Sequence, residues 1–401
     1  MIEFELTRPP PGFVDDPYAL YAQLRESDPV HALEGGGVFL SRYDDAVAVY
    51  RDPQRASSDK KAEFGPRFGD SPLYEHHTTS LVFNDPPLHT RVRRLIMGAL
   101  NQRAIARMER DVATLVDGLL ERLAGMREFD YIEAFAARIP VEVIGNLLDM
   151  PRAERGPLRA WSLAILSALE PLPSDDVLQR GNRAVTEFVA YLEVLVRERR
   201  TNPGDFDSDV LTRLIQGEKD GERLTETELY HQCIFLLNAG HETTTNLLGN
   251  GLWLLLNHPA ELARLRADPA LLSPAIEEML RFEGPIQLNK RRLAAPMTLS
   301  GRSLDAGTPI TIGIGAVNRD PRQFAEPERF DAGRRPNRHL AFGHGDHACS
   351  GMNVARMEAR IAFARLLARF TRLELAGAPE RDRRIRFRGF RRLPVHAGNA
   401  A

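Results

Sequence analysis

Along most of the chain, apolar residues recur at intervals of three and four, the spacing that lines them up on one face of a helix. Asp16 to Ser27 reads as a short helix with Tyr18, Leu20, Tyr21 and Leu24 on one side. Two brief strands follow, Val30–Leu33 and Val38–Leu40, with Gly35, Gly36 and Gly37 turning the chain between them. Residues 52–85 lose the period and are rich in Pro, Gly, His and Ser, which reads as a long loop; one of that length is usually a lid, a binding loop or a misassigned stretch. From Pro86 to about Gly217 the helical spacing returns, punctuated by Pro151, Pro157, Pro171 and Pro173.

The next helix has a clear start, Thr225-x-x-Glu228, which fits a capping box. It can run to Asn257, where Pro259 stops it, a length of about 48 Å at 1.5 Å per residue. Further helices are expected at 260–267 and 273–282, and strands near 293–300 and 308–314. Residues 315–345 wind without period, a last long helix covers about 351–370, and β-like segments close the chain. The expected fold class is mainly α with a small β region, in a single domain spanning 1–401.

Composition narrows the function. With 43% hydrophobic and 27% charged residues the chain is globular, and a net charge of -2 argues against a nucleic-acid surface. Only Cys233 and Cys349 are present, so no disulfide framework is expected and a reducing cytoplasm is the natural home. The start, MIEFELTRPPPGFVDDP, lacks the basic, apolar and cleavage regions of a signal peptide. The most apolar run, Cys233 to Leu256, is broken by Asn238, His241, Glu242 and three threonines, so no membrane span is expected.

The segment with the most chemistry is Phe342-Gly343-His344-Gly345-Asp346-His347-Ala348-Cys349-Ser350-Gly351. It leads from the winding stretch into the last long helix. Gly343 and Gly345 permit tight turns. A cysteine just ahead of a helix meets unpaired N–H groups and the positive end of the dipole, both of which favour thiolate. Gly351 leaves room for a flat ligand. The plain alternative, a buried inert cysteine, leaves the glycines, Phe342 and His347 unexplained.

This segment resembles the haem-binding signature of the cytochrome P-450 family, Phe-Gly-x-Gly-x-His-x-Cys-x-Gly, at every specified position. The resemblance implies a P-450 fold, with haem b between the long central helix and the cysteine-loop helix, and Cys349 as iron ligand. Ala355-Arg356-Met357-Glu358 resembles the helix that follows it in the family, and Ser350 stands where an apolar residue is more usual.

Three other segments resemble the family in the right order. Glu278-x-x-Arg281 is by itself an ordinary helix pair; the resemblance makes it a lock on the cysteine loop, with Arg329 of Pro327-Glu328-Arg329-Phe330 as third member. Ala239-Gly240-His241-Glu242-Thr243-Thr244 puts polar groups and a glycine inside an apolar helix. A polar face packed on another polar element accounts for them too; the resemblance assigns Thr243 to holding dioxygen and Glu242 to relaying protons. His89 and Arg93 are four apart on a helix that otherwise reads as a solvated basic face. The resemblance puts both on haem propionates, with Arg292 and His347 as further partners and Arg291 one residue of slippage away.

By the same resemblance the pocket is lined by Phe83, Leu236, Ile286, Leu288 and Phe390, mostly apolar, which suits a small hydrophobic substrate. Arg67, His76 and His77 could meet a substrate carboxylate, but an exposed loop usually carries such residues for solubility. Electrons, drawn from NAD(P)H, would reach the enzyme through a separate ferredoxin or flavodoxin docked on Arg91, Arg94, Arg103, Arg334, Arg335 and Arg338. A peroxide-driven peroxygenase and a non-catalytic haem protein are the competing readings. The intact Glu242-Thr243 pair weighs against the first, and the retained Cys349 against a haem-free relative.

Overall fold

The computed structural model describes residues 2–206, 209–217 and 223–398. It divides into two compact units, one made of Met1–Ser57, Asp117–Ala136 and Thr243–Ala401, the other of Ser58–Val116 and Ala137–Glu242.

The first unit holds the β structure. Val30–Ala32 pairs antiparallel with Val38–Leu40, which runs parallel to Pro309–Gly313; Leu288–Leu293 and Ala56–Ser57 complete a five-stranded sheet. Its inward face packs Val38, Leu40, Leu293, Ile310 and Ile312 with Ala46 and Val49 of the helix Tyr43–Arg51. A second core gathers Phe4, Phe13, Tyr18, Tyr21, Leu24 and Phe39. Glu128–Asp130, Pro394–Gly398 and Arg372–Leu375 form a separate three-stranded sheet. The helix Leu272–Phe282 packs on Met352–Arg369 in the same unit.

The second unit is helical. Asp175–Thr201 starts at Ser174, whose side chain accepts from Val177 N, and buries Gly181, Ala184, Val185, Phe188, Leu192, Leu195 and Val196 along one face. Trp161 of the adjoining helix Leu158–Ser167 stacks on Phe188 at 4.8 Å. The long helix, Glu226–Asn257, has the expected bounds. Its capping box is made in both directions: Thr225 N donates to Glu228 Oε2 at 2.9 Å and Glu228 N to Thr225 Oγ1 at 3.2 Å. No helix among the described residues is long and apolar enough to cross a membrane.

The loop expected over 52–85 is a correction. It contains the helices Lys61–Phe68 and Pro72–Thr79 and a 3-10 turn, Leu81–Phe83. Each helix has eight residues, two turns, too few for a period to emerge. The second starts on local chemistry, with Ser71 accepting from Tyr74 N and Pro72 at the first helical position.

Candidate active site

The cysteine loop is shaped by turns that only a few residues allow. Gly343 and Gly345 sit at φ +68° and +70°, and a Cβ on Gly345 would lie 2.5 Å from the Tyr50 carbonyl oxygen. Two backbone bonds close the loop: Ala348 N to Gly345 O at 2.9 Å and Cys349 N to Phe342 O at 2.8 Å. Cys349 is therefore held, half-buried, three residues ahead of the helix Met352–Arg369. Arg356, one turn into that helix, lies 4.7 Å over the Phe342 ring and donates two bonds of 2.7 Å to Glu277. Burial works against the Glu277 carboxylate, but Arg356 and His339 outweigh it and hold it down to about 2. Phe342 is thus clamped by charged partners that are themselves locked.

Behind the loop lies a wholly buried acid. Glu278 accepts from Arg281 Nε and Nη2 at 2.7 Å each, and both side chains are fully enclosed. The third member is not Arg329, which pairs with Glu326 in solvent, 58% exposed, and contributes only its carbonyl to Arg281. It is Arg334, 11% exposed, whose Nε donates to Glu278 Oε1 at 3.0 Å, joined by Asn337 Nδ2 at 3.0 Å. Arg329 is turned away because its own backbone carbonyl fills the space facing Arg281 and Arg334. The partner of Glu278 thus lies five positions further along the chain.

On strand Leu288–Leu293, neighbouring side chains point to opposite faces. Arg291 is the one on the Tyr50 side: it lies 5.4 Å over that ring and bonds Asn289 Oδ1, while Asn289 bonds the Tyr50 hydroxyl. Arg292 points the other way and donates to the Gly307 carbonyl at 2.9 Å. Since Tyr50 abuts Gly345, Arg291 and not Arg292 is the arginine on the cysteine-loop face.

His89, Arg93 and Glu242 belong to the second unit, and Thr243 to the first. His89 is buried and Arg93 half-buried on the helix Leu88–Ala99. Arg91, on the same helix, makes a bidentate pair with Glu228, so it is not a free docking cation, and neither is Arg334. Glu242 is 3% exposed and His241 1%. The long helix then carries Thr243, half-buried, while Ala239 is exposed within an otherwise covered run. Gln232 pins the turn Leu81–Phe83, accepting from Leu81 N and donating to Thr79 O. His76 and His77 are not solubilising surface residues but lie inside the second unit.

The family model described as Cytochrome P450 matches residues 162–394. The chain is 37% identical to Cytochrome P450 107B1 of Saccharopolyspora erythraea, across 96% of each. It is also 37% identical to a vitamin D(3) 25-hydroxylase of Pseudonocardia autotrophica, across 96% of this chain and 95% of that one. The crystal structure of CalO2 superposes with a TM-score of 0.92 at 31% identity, covering 100% of both. The chain belongs to the cytochrome P450 family.

It is accordingly a P450 monooxygenase, an oxidoreductase, with haem b as its cofactor. The residues present fit that group. A sulfur stands at the head of a helix, and a Cβ added at Gly351 would meet nothing within 4 Å, leaving one side of the loop open to a flat ring. Of the expected pocket residues, Leu236 and Ile286 are half-buried. Leu288 instead belongs to the aromatic core with Phe4 and Tyr21, and Phe390 packs on Trp253 beneath Arg381. Both are corrections: an apolar residue beside a site looks the same in sequence whether it faces the core or the ligand. Phe83 is also buried, its ring against Phe64 and His77.

Proposed function

We propose that this P450 inserts one atom of O2 into a small, mostly hydrophobic organic substrate, by hydroxylation, dealkylation or epoxidation. Electrons come from a separate ferredoxin or flavodoxin, itself reduced at the expense of NAD(P)H in the cytoplasm. The observation that carries the reading is the cysteine loop: a half-buried thiol, fixed by two backbone bonds, at the entrance to an 18-residue helix. In this reading Cys349 Sγ would hold the iron, with Phe342 and Gly351 as residues of the loop that would receive the ring. His89, Arg93, Arg291 and His347 are the residues that would hold the propionates, through charge-assisted bonds. When bound, haem b supplies the reductive activation of O2 and the transfer of its oxygen atom.

The chain's own residues govern protons and water. Glu242 is sealed from solvent at 3% exposure, so a proton on its carboxyl stays in place until a neighbour takes it. Thr243 stands next to it on the helix, and its Oγ1 passes that proton on and orients the dioxygen. Leu236, half-buried on the long helix, keeps bulk water away from the reacting atoms. Arg335 and Arg338, both exposed, are the cations of the cysteine-loop unit open to an acidic donor.

The test is spectroscopic. Reduced, CO-bound enzyme is expected to show the red-shifted Soret band of a thiolate-ligated haem. Cys349→His abolishes it, whereas Thr243→Ala keeps it and diverts O2 to peroxide. Wild-type enzyme without that band overturns the reading.

A further inference from the structure

The second unit contains a polar cluster with no part in the proton path. His76 and His77, each 2% exposed, come from the helix Pro72–Thr79, and His231 and Asn238, 3% and 5% exposed, from the long helix. The His76 ring lies 4.9 Å from that of His77 and 5.6 Å from that of His231. His76 Nε2 is 3.3 Å from Asn238 Nδ2. His76 Nδ1 and Asn238 Oδ1 have no hydrogen-bond partner among the described residues. His231 points outward, its Nε2 3.7 Å from the exposed Glu75 carboxylate.

The hydrogen-bond inventory of the pair decides what it can recognise. Burial, then the His77 and His231 rings, push His76 well below the usual histidine range, so the ring is neutral, with one donor and one acceptor. If the amide nitrogen donates to Nε2, an N–H at Nδ1 and the Asn238 oxygen are left over. If the amide is turned round and its oxygen accepts from Nε2, the leftovers are an acceptor at Nδ1 and the amide N–H. Either way one donor and one acceptor remain, side by side and buried. Such groups are costly to leave unmet, and a native protein that keeps them generally has a use for them.

We infer that His76 and Asn238 form a recognition site for a hydroxyl group carried by an otherwise hydrophobic substrate. A hydroxyl donates and accepts on one atom and meets both leftovers. A carboxylate only accepts, an ammonium only donates, and an alkane does neither. Asn238 lies four residues before Glu242, on the same face and about 6 Å along the helix. An anchored hydroxyl therefore sets the rest of the molecule about one helical turn from the acid. The inference deepens the proposed oxygen insertion and rests on it for the identity of the ligand as substrate.

The experiment titrates holoenzyme with 1-dodecanol, dodecane and dodecanoic acid, and with cyclododecanol and cyclododecane, by spin-state change and by calorimetry. Each alcohol is expected to bind at least about tenfold more tightly than its alkane and than the acid. The gap closes in Asn238→Leu and in His76→Phe. Without ligand, the double variant is expected to melt higher than wild type, because two unmet buried groups are gone. Equal or no binding of alcohol and alkane overturns the inference and leaves water as the occupant. Preference for the acid overturns it, as does a double variant that melts lower, which makes the pair structural. Absence of the CO band in wild type counts against the proposed function instead, while the calorimetric gap still reports on this site.

Discussion

Glu358 lies on the cysteine-loop helix, 2% exposed, and its Oε2 has no hydrogen-bond partner among the described residues. Burial raises its pKa from 4.5 to about 8. Between those two values the folded chain keeps the proton and the unfolded chain loses it, so each rise in pH favours unfolding. At about 1.4 kcal/mol per pH unit the full window is worth at most about 5 kcal/mol, and local relaxation brings the expected effect to about 2–3 kcal/mol. Glu358→Gln removes the ionisation. Its stability relative to wild type should be lowest near pH 5, rise through neutrality and level off above pH 8. The amide's own desolvation shifts every point alike, so the difference between the two ends is the signal. The depressed carboxylates Glu277 and Glu283, both near 2, change charge below this window and do not interfere. Denaturant melts of holoenzyme at pH 5.5, 7 and 8.5 measure it. A gap that is the same at 5.5 and 8.5 refutes the reasoning.

Three further outcomes follow from the site. Arg334→Ala strands part of the buried Glu278 charge and should cost about 3–5 kcal/mol, whereas Arg329→Ala should cost under about 1 kcal/mol; thermal melts and haem content separate them. Arg291→Ala should speed haem loss to an apo-myoglobin acceptor several-fold, while Arg292→Ala leaves the rate near wild type. Glu283 is depressed to about 2 because Arg388, Arg381 and Arg319 outweigh the penalty of its burial. Its contribution is present above 4.5 and is lost as pH falls towards 2, so Glu283→Gln should destabilise at pH 7 and converge with wild type in acid. A constant difference down to pH 3 would argue against that pairing.

Much of the fold and of the site was legible where local chemistry and tertiary role coincide. The capping box at Thr225 and Glu228 marked the start of the long helix, because both halves of the motif act within one turn. The glycines and cysteine of the loop announced a shape that few other residues tolerate. What was missed turns on direction. Arg291 and Arg292 differ by one residue and face opposite sides of a strand; Arg329 and Arg334 both precede the loop, and only backbone geometry decides which reaches Glu278. The helices Lys61–Phe68 and Pro72–Thr79 were hidden by their shortness, and with them the burial of His76 and His77.

The arginine knot around Glu283 has a consequence for synthesis. Arg388 donates to the carbonyls of Val14 and Asp15, Tyr18 bonds Glu283, and Pro394–Gly398 supplies the middle strand between Glu128–Asp130 and Arg372–Leu375. Residues 14–18 thus wait for Arg388 before their contacts can close. Residues 58–242 emerge before the larger part of the first unit and contain all of the helical unit, so that unit can settle while the other is still incomplete. Nascent chains halted before Arg388 should therefore lean on chaperones through the aromatic cluster of Phe4, Phe13 and Tyr18, and removing the chain from Arg388 onward should harm residues 14–18 as much as the strands it truncates.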